Sequence, residues 1–451
     1  MIVMVTTSPS DWIDQNRESI LRFAKKYIQH RSPTEQEETV QRDFIEPFFR
    51  DEMAWDGVDI VDTSENGTRP NVNARLTGSG DGQTLMFNGH TDVVDVTAEQ
   101  ARHWDHDPWD PVVEDGRLYG RGANDMKGPN AAMIWAMKAL METGVELSGD
   151  VLMSIVVGEE FGHEERGTIA ATEAFQEQGY KIPFCVNTEP TNNEIHVMSA
   201  YSVNFEITLA GKAVHGSQHN FTRYPQRHGL PQGNEVGVDV VPMLRELLGR
   251  LESLEREWNM RYDHEVWGSG GRPLPLDEQG TGTVTLIPTL IDVGHYVASV
   301  PRSARIEGQM YVPPNVDPND LWSEFEETVV GLEATYDWLK EHPPTVETSD
   351  LLDHLKGYRF WPAFKVDLDH PGAETLGGAV DEVTDKDPVF SGFKAVSDAG
   401  FIQDACGIDV VSFGPGDTKM GTHGEDEFVP IDQLITATKV YAEMIQRWCG
   451  E

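Results

Sequence analysis

The run Val151-Leu-Met-Ser-Ile-Val-Val157 is apolar at nearly every place and passes at once into Gly158-Glu159-Glu160. It is too short for a buried helix, and it lacks the alternation of a strand with one wet face. It therefore reads as a strand covered on both sides, which requires a sheet with helices above and below it. Adjacent residues at a strand end point in different directions. Two neighbouring carboxylates there can divide their work, one facing a cation and the other handling a proton.

Other short apolar runs, at 84–88, 184–188 and 409–413, read as strands of the same kind. Helical spacing over 10–30 begins behind Ser10-Asp11, and residues 129–143 form a second helical stretch with Pro129 near its start and Gly144 after its end. Strands alternating with helices predict an α/β fold with a mostly parallel, mixed sheet flanked by helices. With 451 residues the chain exceeds one ordinary core, so two domains are expected. The middle supplies the second. A strand at 203–209, a helix near 237–260, strands near 283–292 and 304–312, a helix near 318–338 and a last strand opened by Pro343-Pro-Thr-Val-Glu347 give the order βαββαβ. The expected division is 1–200 plus 361–451 for the larger domain. The inserted α+β, ferredoxin-like module takes 201–360.

Composition narrows the function. The net charge of −41 repels nucleic acid and anionic membranes, so neither is expected as a partner. The acidic residues are spread through patterned segments, as on the surface of a halophilic protein whose self-repulsion is screened by salt. No apolar run approaches the ~20 residues that span a bilayer, and the first residues do not read as a secretory signal. Cys185, Cys406 and Cys449 are far apart, which fits a reducing cytoplasm rather than a disulfide framework.

Acids and histidines cluster where strands should end: His90 and Asp92, Glu159 and Glu160, Glu189, and His423 after Gly414-Pro-Gly416. Asp125 joins them from a turn before the 129–143 helix. Ligands in α/β sheets bind outside the carboxyl ends of the strands, so these distant residues point to one site. Imidazoles and carboxylates without thiolates suit zinc, cobalt or manganese. A carboxylate bridging two ions, with two further ligands on each side, would hold them about 3.5–4 Å apart.

The stretches Asn88-Gly-His-Thr-Asp-Val-Val94, Trp109-Asp-Pro111, Asp115-Gly-Arg-Leu-Tyr-Gly-Arg-Gly-Ala-Asn-Asp-Met-Lys-Gly128, Glu159-Glu160, Glu189-Pro-Thr191, Gly211-Lys-Ala-Val-His-Gly-Ser217, and Gly414-Pro-Gly416 with His423 and Asp426-Glu427 occur in one order along nearly the whole chain. In that order they resemble the co-catalytic metallohydrolase family of aminoacylase, acetylornithine deacetylase, succinyl-diaminopimelate desuccinylase and glutamate carboxypeptidase. The resemblance implies two divalent ions, zinc before cobalt or manganese. His90 and Glu189 would hold one ion, Glu160 and His423 the other, and Asp125 would bridge. It implies Asp92 behind His90 as its orienting carboxylate, Glu159 as general base toward a water between the ions, and a cis peptide at Asp125-Met126. His215, in the inserted module, would reach the oxyanion across a homodimer.

The expected activity is hydrolysis of an amide in a small N-acylated, amino-acid-like substrate. A dipeptidase or carboxypeptidase, an N-formyl-aminopyrimidine deformylase and a silent ligand-binding relative are the alternatives. Tyr311 stands where the family commonly places an arginine, and Val297-Ala298-Ser-Val-Pro301 where it commonly reads Asn-x-Val-Pro; both family residues help hold a substrate carboxylate. Gly158 and Gly400 depart from the common Asp and Arg as well. A substitute anchor is expected in the basic segment after His215, at Arg223 and Arg227, with Tyr311 and Gly414 as further substrate contacts.

Overall fold

The computed structural model describes residues 7–55, 57–161, 163, 165–224, 229–262, 284–348 and 358–450. The chain divides into two compact units, Met1–Ser199 with Ala363–Glu451, and Ala200–Pro362. Strands β1 (Gly57–Val61), β2 (Asn71–Leu76), β3 (Leu85–His90), β4 (Val112–Glu114), β5 (Arg117–Tyr119), β6 (Val151–Val156), β7 (Phe184–Asn187) and β8 (Ile195–Ser199) belong to the first unit. The second unit holds β9 (Tyr201–Ala210), β10 (Thr285–Val293), β11 (Ser303–Val312) and β12 (Thr345–Thr348). The chain then returns to the first with β13 (Phe390–Phe393), β14 (Asp409–Ser412) and β15 (Phe428–Pro430).

Among the described residues of the first unit, eight strands form one sheet in the order β1-β2-β6-β3-β7-β14-β8-β13. The pairs β6–β3, β3–β7 and β7–β14 are parallel, whereas β1–β2 and β2–β6 are antiparallel. This is the mixed α/β sheet expected. Strands β3, β6 and β7 are buried at every residue, the burial that apolar runs without alternation predict. Helices Lys127–Thr143 and Ile431–Cys449 carry long buried faces. The 10–30 segment differs from expectation. It is two helices, Pro9–Gln15 and Arg17–Gln29, parted at Asn16, and its cap is Ser8, whose Oγ accepts the Asp11 N–H. Ser8 precedes Pro9, which needs no hydrogen bond at a first turn, so the helix starts earlier than the Ser10 signal indicates.

In the second unit the strand order is β10-β11-β9-β12, all neighbours antiparallel. Helices Val241–Arg261 and Pro318–Val330 complete a βαββαβ module of the ferredoxin-like kind. The second helix stops at Val330 and passes into short turns rather than running to 338. Its core is built from alternate residues of β9, such as Phe205, Ile207 and Leu209, and from Leu244, Leu247, Leu251 and Trp258 of the first helix. Trp258 is fully buried, and its indole N–H donates to Glu324 Oε2 at 2.8 Å, tying the two helices together. β10 lies at the sheet edge with Leu290 and Ile291 exposed. No described helix is long and apolar enough to cross a membrane.

Candidate metal centre

Because β6, β3, β7 and β14 run parallel, their carboxyl ends share one edge of the sheet. The register places His90 beside Val156, and Asn88 beside both Ser154 and Asn187. Beneath the edge runs a buried polar row. Asn187 Nδ2 donates to Asn88 Oδ1 at 3.1 Å, Asn88 Nδ2 to Thr168 Oγ1 at 2.8 Å, and Ser412 Oγ to Asn187 Oδ1 at 3.3 Å. Satisfied buried polar networks fix relative positions more sharply than apolar packing does. This one joins the strands that deliver the ligands.

His90 closes β3 and is buried. Its Nδ1 donates to the Asp92 carbonyl oxygen at 2.9 Å, which leaves Nε2 as the ring nitrogen that faces Asp125. That Nε2 lies 3.1 Å from Asp125 Oδ1. Asp125 precedes the helix Lys127–Thr143, and its peptide to Met126 is cis, as the resemblance implies. Its other oxygen, Oδ2, lies 3.4 Å from His423 Nε2, and that same Nε2 lies 2.9 Å from Glu160 Oε2. His90, Asp125 and Glu160 offer ligand atoms that all fall within 4.8 Å of one another. Glu159 Oε2 is 3.8 Å from His90 Nε2, beyond a hydrogen bond. Glu189 follows β7, is buried, and its Oε1 has no hydrogen-bond partner among the described residues.

The electrostatics follow from crowding carboxylates into a dry place. Burial, then the charges of neighbouring acids, push the Glu159 and Glu189 carboxyls well above the usual range. Burial alone would discharge His423, yet its contacts with Asp125 and Glu160 lift it to about 10. His90 is raised for the same reason, against burial, by Asp125 and Glu159. Burial also opposes the charge on Asp125, but hydrogen bonds from both imidazoles hold it well below the ordinary carboxylate range. A cluster that charges its own histidines demands positive charge. Together with the orphaned Glu189 oxygen and a nitrogen–oxygen donor set, it fits divalent cations.

Asp92 lies behind His90 and has further contacts. The His90 ring rests on its main-chain carbonyl, while its Oδ1 is 3.7 Å from Nδ1. The carboxylate also accepts the N–H of Gly158 at 2.8 Å and of Glu160 at 3.3 Å, and the Thr34 hydroxyl at 2.8 Å. It therefore holds the segment that presents the glutamate pair. Gly158 has φ +89°, a conformation glycine adopts without strain, and this turns the chain out of β6.

Gly414 does not offer its main chain to a ligand. Its N–H donates to Thr191 Oγ1 at 3.0 Å, and its carbonyl accepts the N–H groups of Thr191 and Asn193. A Cβ there would fall 2.5 Å from the Glu189 carbonyl, so the glycine lets two strand ends meet and seats Glu189. In the second unit, His215 caps a short turn, its Nδ1 accepting the Ser217 N–H, so that Nε2 carries the proton. Tyr311 lies on β11 and donates to Gln309 Oε1 at 3.2 Å. Arg223 ends the short helix His219–Arg223 and is exposed. Arg227 lies outside the described residues.

Lys127 and Asp398 are among the buried charges to which the sequence assigns no role. Lys127 Nζ donates to the His30 carbonyl at 2.7 Å, and burial pulls its ammonium down to about 7. Asp398 is buried with neither carboxylate oxygen hydrogen-bonded among the described residues, and burial pushes it up to about 7. Each follows a Ser or Met at the head of an unremarkable helix, and no spacing marks it as buried.

A mixed α/β sheet whose strand ends gather two histidines and several carboxylates, with a further glutamate beside them, defines a metal-dependent amidohydrolase. The chain belongs to the peptidase family M20/M25/M40, which matches residues 86–447. It is 29% identical over 440 residues to the N-formyl-4-amino-5-aminomethyl-2-methylpyrimidine deformylase of Bacillus subtilis, covering 97% of this chain and 96% of that protein. It is 32% identical over 387 residues to the succinyl-diaminopimelate desuccinylase of Rhodospirillum centenum, covering 84% of each. The structure of the di-peptidase Dug1p of Saccharomyces cerevisiae superposes with a TM-score of 0.69 at 16% identity, covering 99% of both chains. At that identity the likeness speaks for the fold.

Proposed function

We propose that this protein hydrolyses the formamide of a small N-formylated aminopyrimidine or a similar heteroaromatic amine. The observation that carries the substrate class is the likeness to the Bacillus subtilis deformylase over 97% of this chain. Tyr311 supports it: an aromatic phenol where the resemblance places a carboxylate-binding arginine suits a flat substrate without a free carboxylate. The likeness to a desuccinylase favours a second reading, removal of an N-succinyl group.

In either reading His90 and Glu189 would hold one cation, Glu160 and His423 the other, with Asp125 between them and zinc, cobalt or manganese as the ion. When bound, such a pair supplies Lewis acidity that polarises the amide carbonyl and makes water acidic enough to attack near neutral pH. Glu159 takes the proton from the attacking water and returns it to the departing amine nitrogen. Asp92 keeps Glu159 and Glu160 in register through the main chain of Gly158 and Glu160. His215, protonated at Nε2, is inferred to donate to the developing oxyanion. A homodimer is inferred as well, each copy lending its His215 to the other, on the ground of the exposed apolar edge strand β10; the mass in solution checks it.

The purified enzyme should be offered N-formyl-aminomethylpyrimidine, N-succinyl-diaminopimelate, N-acetylornithine and a dipeptide. The formyl substrate is expected to lead in kcat/KM by about 100-fold or more, the scale at which a pocket with fixed hydrogen bonds discriminates. Turnover should cease on chelation and return with added Zn2+, Co2+ or Mn2+. Faster cleavage of the succinyl compound would favour the second reading, and no metal-dependent turnover on any of them a binding role.

A further inference from the structure

We infer that Glu427 is a positioning residue that fastens the turn bearing Asp125 to the loop bearing His423, and thereby sets the affinity of the site for its cations. The inference rests on the two-cation reading above.

Glu427 is fully buried and lies shortly after His423. Its Oε1 accepts three main-chain N–H groups of one turn: Gly122 at 3.0 Å, Asn124 at 2.8 Å and Asp125 at 3.0 Å. Its Oε2 accepts Arg121 Nη1 at 2.5 Å and the Gly122 N–H at 3.1 Å. Main-chain N–H groups converging on one point make an anion-binding hollow. Here the chain fills that hollow with its own carboxylate. A buried carboxylate is costly unless it is both paired and hydrogen-bonded, and Glu427 is both.

The stitching continues on either side of His423. Asn124 Nδ2 donates to Thr422 Oγ1 at 2.6 Å, just before the histidine. Arg121 Nη2 donates to the Gly424 carbonyl at 3.1 Å, just after it. The Gly120 N–H donates to the Glu427 carbonyl at 2.9 Å. His423 itself is half exposed and has φ +60°, so little packing holds it where it stands. Its place is set by anchored neighbours; Asp426 accepts the Asp105 N–H at 2.8 Å, and the anchors made by Thr422, Gly424 and Glu427 run to the 120–125 turn. The carboxylate therefore fixes two things together: the Cα of Asp125, whose two oxygens must reach two imidazoles, and the loop that brings the second imidazole. A buried Arg–Glu pair that served folding alone would not need three amides of the ligand-bearing turn.

The test uses the whole enzyme, stripped of metal and titrated with Co2+, read by its visible absorption and by competition with a chromophoric chelator. Glu427→Gln keeps the size but loses the charge and one acceptor. Its Co2+ affinity is expected to fall about 10–100-fold, the usual cost of disturbing groups that orient metal ligands, with an altered Co2+ spectrum. A purely structural role would lower the Tm and leave the affinity and spectrum of the folded protein alone, and that result overturns the inference. Should Glu427→Gln fail to fold, Arg121→Lys carries the same test: it keeps a cation beside Glu427 and loses the tie to Gly424. A loss of Co2+ affinity there sustains the inference, and wild-type affinity overturns it. If the wild-type protein takes up no Co2+, the two-cation reading fails and this inference with it. Two ions bound equally by wild type and variant would sink the Glu427 role alone.

Discussion

Glu159→Gln is expected to lower kcat by about 10²–10⁴-fold, the range that general acid–base catalysis contributes, while leaving the metal content unchanged. The geometry separates the two neighbouring glutamates. Glu160 Oε2 meets His423 Nε2 at 2.9 Å, whereas Glu159 Oε2 stays 3.8 Å from His90 Nε2, within reach of its charge but beyond a hydrogen bond. A group outside the ligand set can be neutralised without loosening the ions. Glutamine is isosteric but cannot take the proton of the attacking water. Atomic spectrometry of the purified variant beside stopped-time assays checks both halves. Loss of metal together with rate would make Glu159 a ligand rather than the base.

Asp125→Ala should do more. Its oxygens divide between His90 at 3.1 Å and His423 at 3.4 Å, so among the described residues it is the carboxylate in contact with both imidazoles. Its removal is expected to empty both cation positions and to depress turnover by about 10⁴-fold or more, at least the whole acid–base contribution. Glu160→Ala, by contrast, should weaken the His423 side first. Titration of each variant with Co2+ separates the cases, and two ions retained by Asp125→Ala would remove it from the bridging place.

Much of this arrangement was legible in the residues because its causes are local. An apolar run without alternation forecasts a doubly covered strand, and β3, β6 and β7 are buried throughout. Strand ends in an α/β sheet are where ligands gather, so His90 and Glu160 could be named before their distance was known. What escaped depends on contacts between distant segments. Nothing in Asn88-Gly-His-Thr-Asp92 tells that the ring of His90 leans on a carbonyl while the Asp92 carboxylate accepts the Gly158 and Glu160 amides. Gly414 reads as a loop glycine near a ligand, but its hydrogen bonds go to Thr191 and Asn193. Asp426-Glu427 could be matched as a motif, yet the role of Glu427 lies in a partner 306 residues away.

That separation bears on how the protein is made. Four of the residues assigned to the ions lie within 1–199, the fifth and its anchor within 363–451, and the other unit is synthesised between them. A growing chain thus carries a cluster of buried-to-be acids through the making of the whole intervening module, with neither His423 nor Glu427 to complete it. Strand β14, which sits between β7 and β8, is also missing until late, so the sheet itself stays open. On the proposed assignment the ligand set that includes His423 closes only late in synthesis, and a chain broken off before residue 423 would lack one ligand of the second cation.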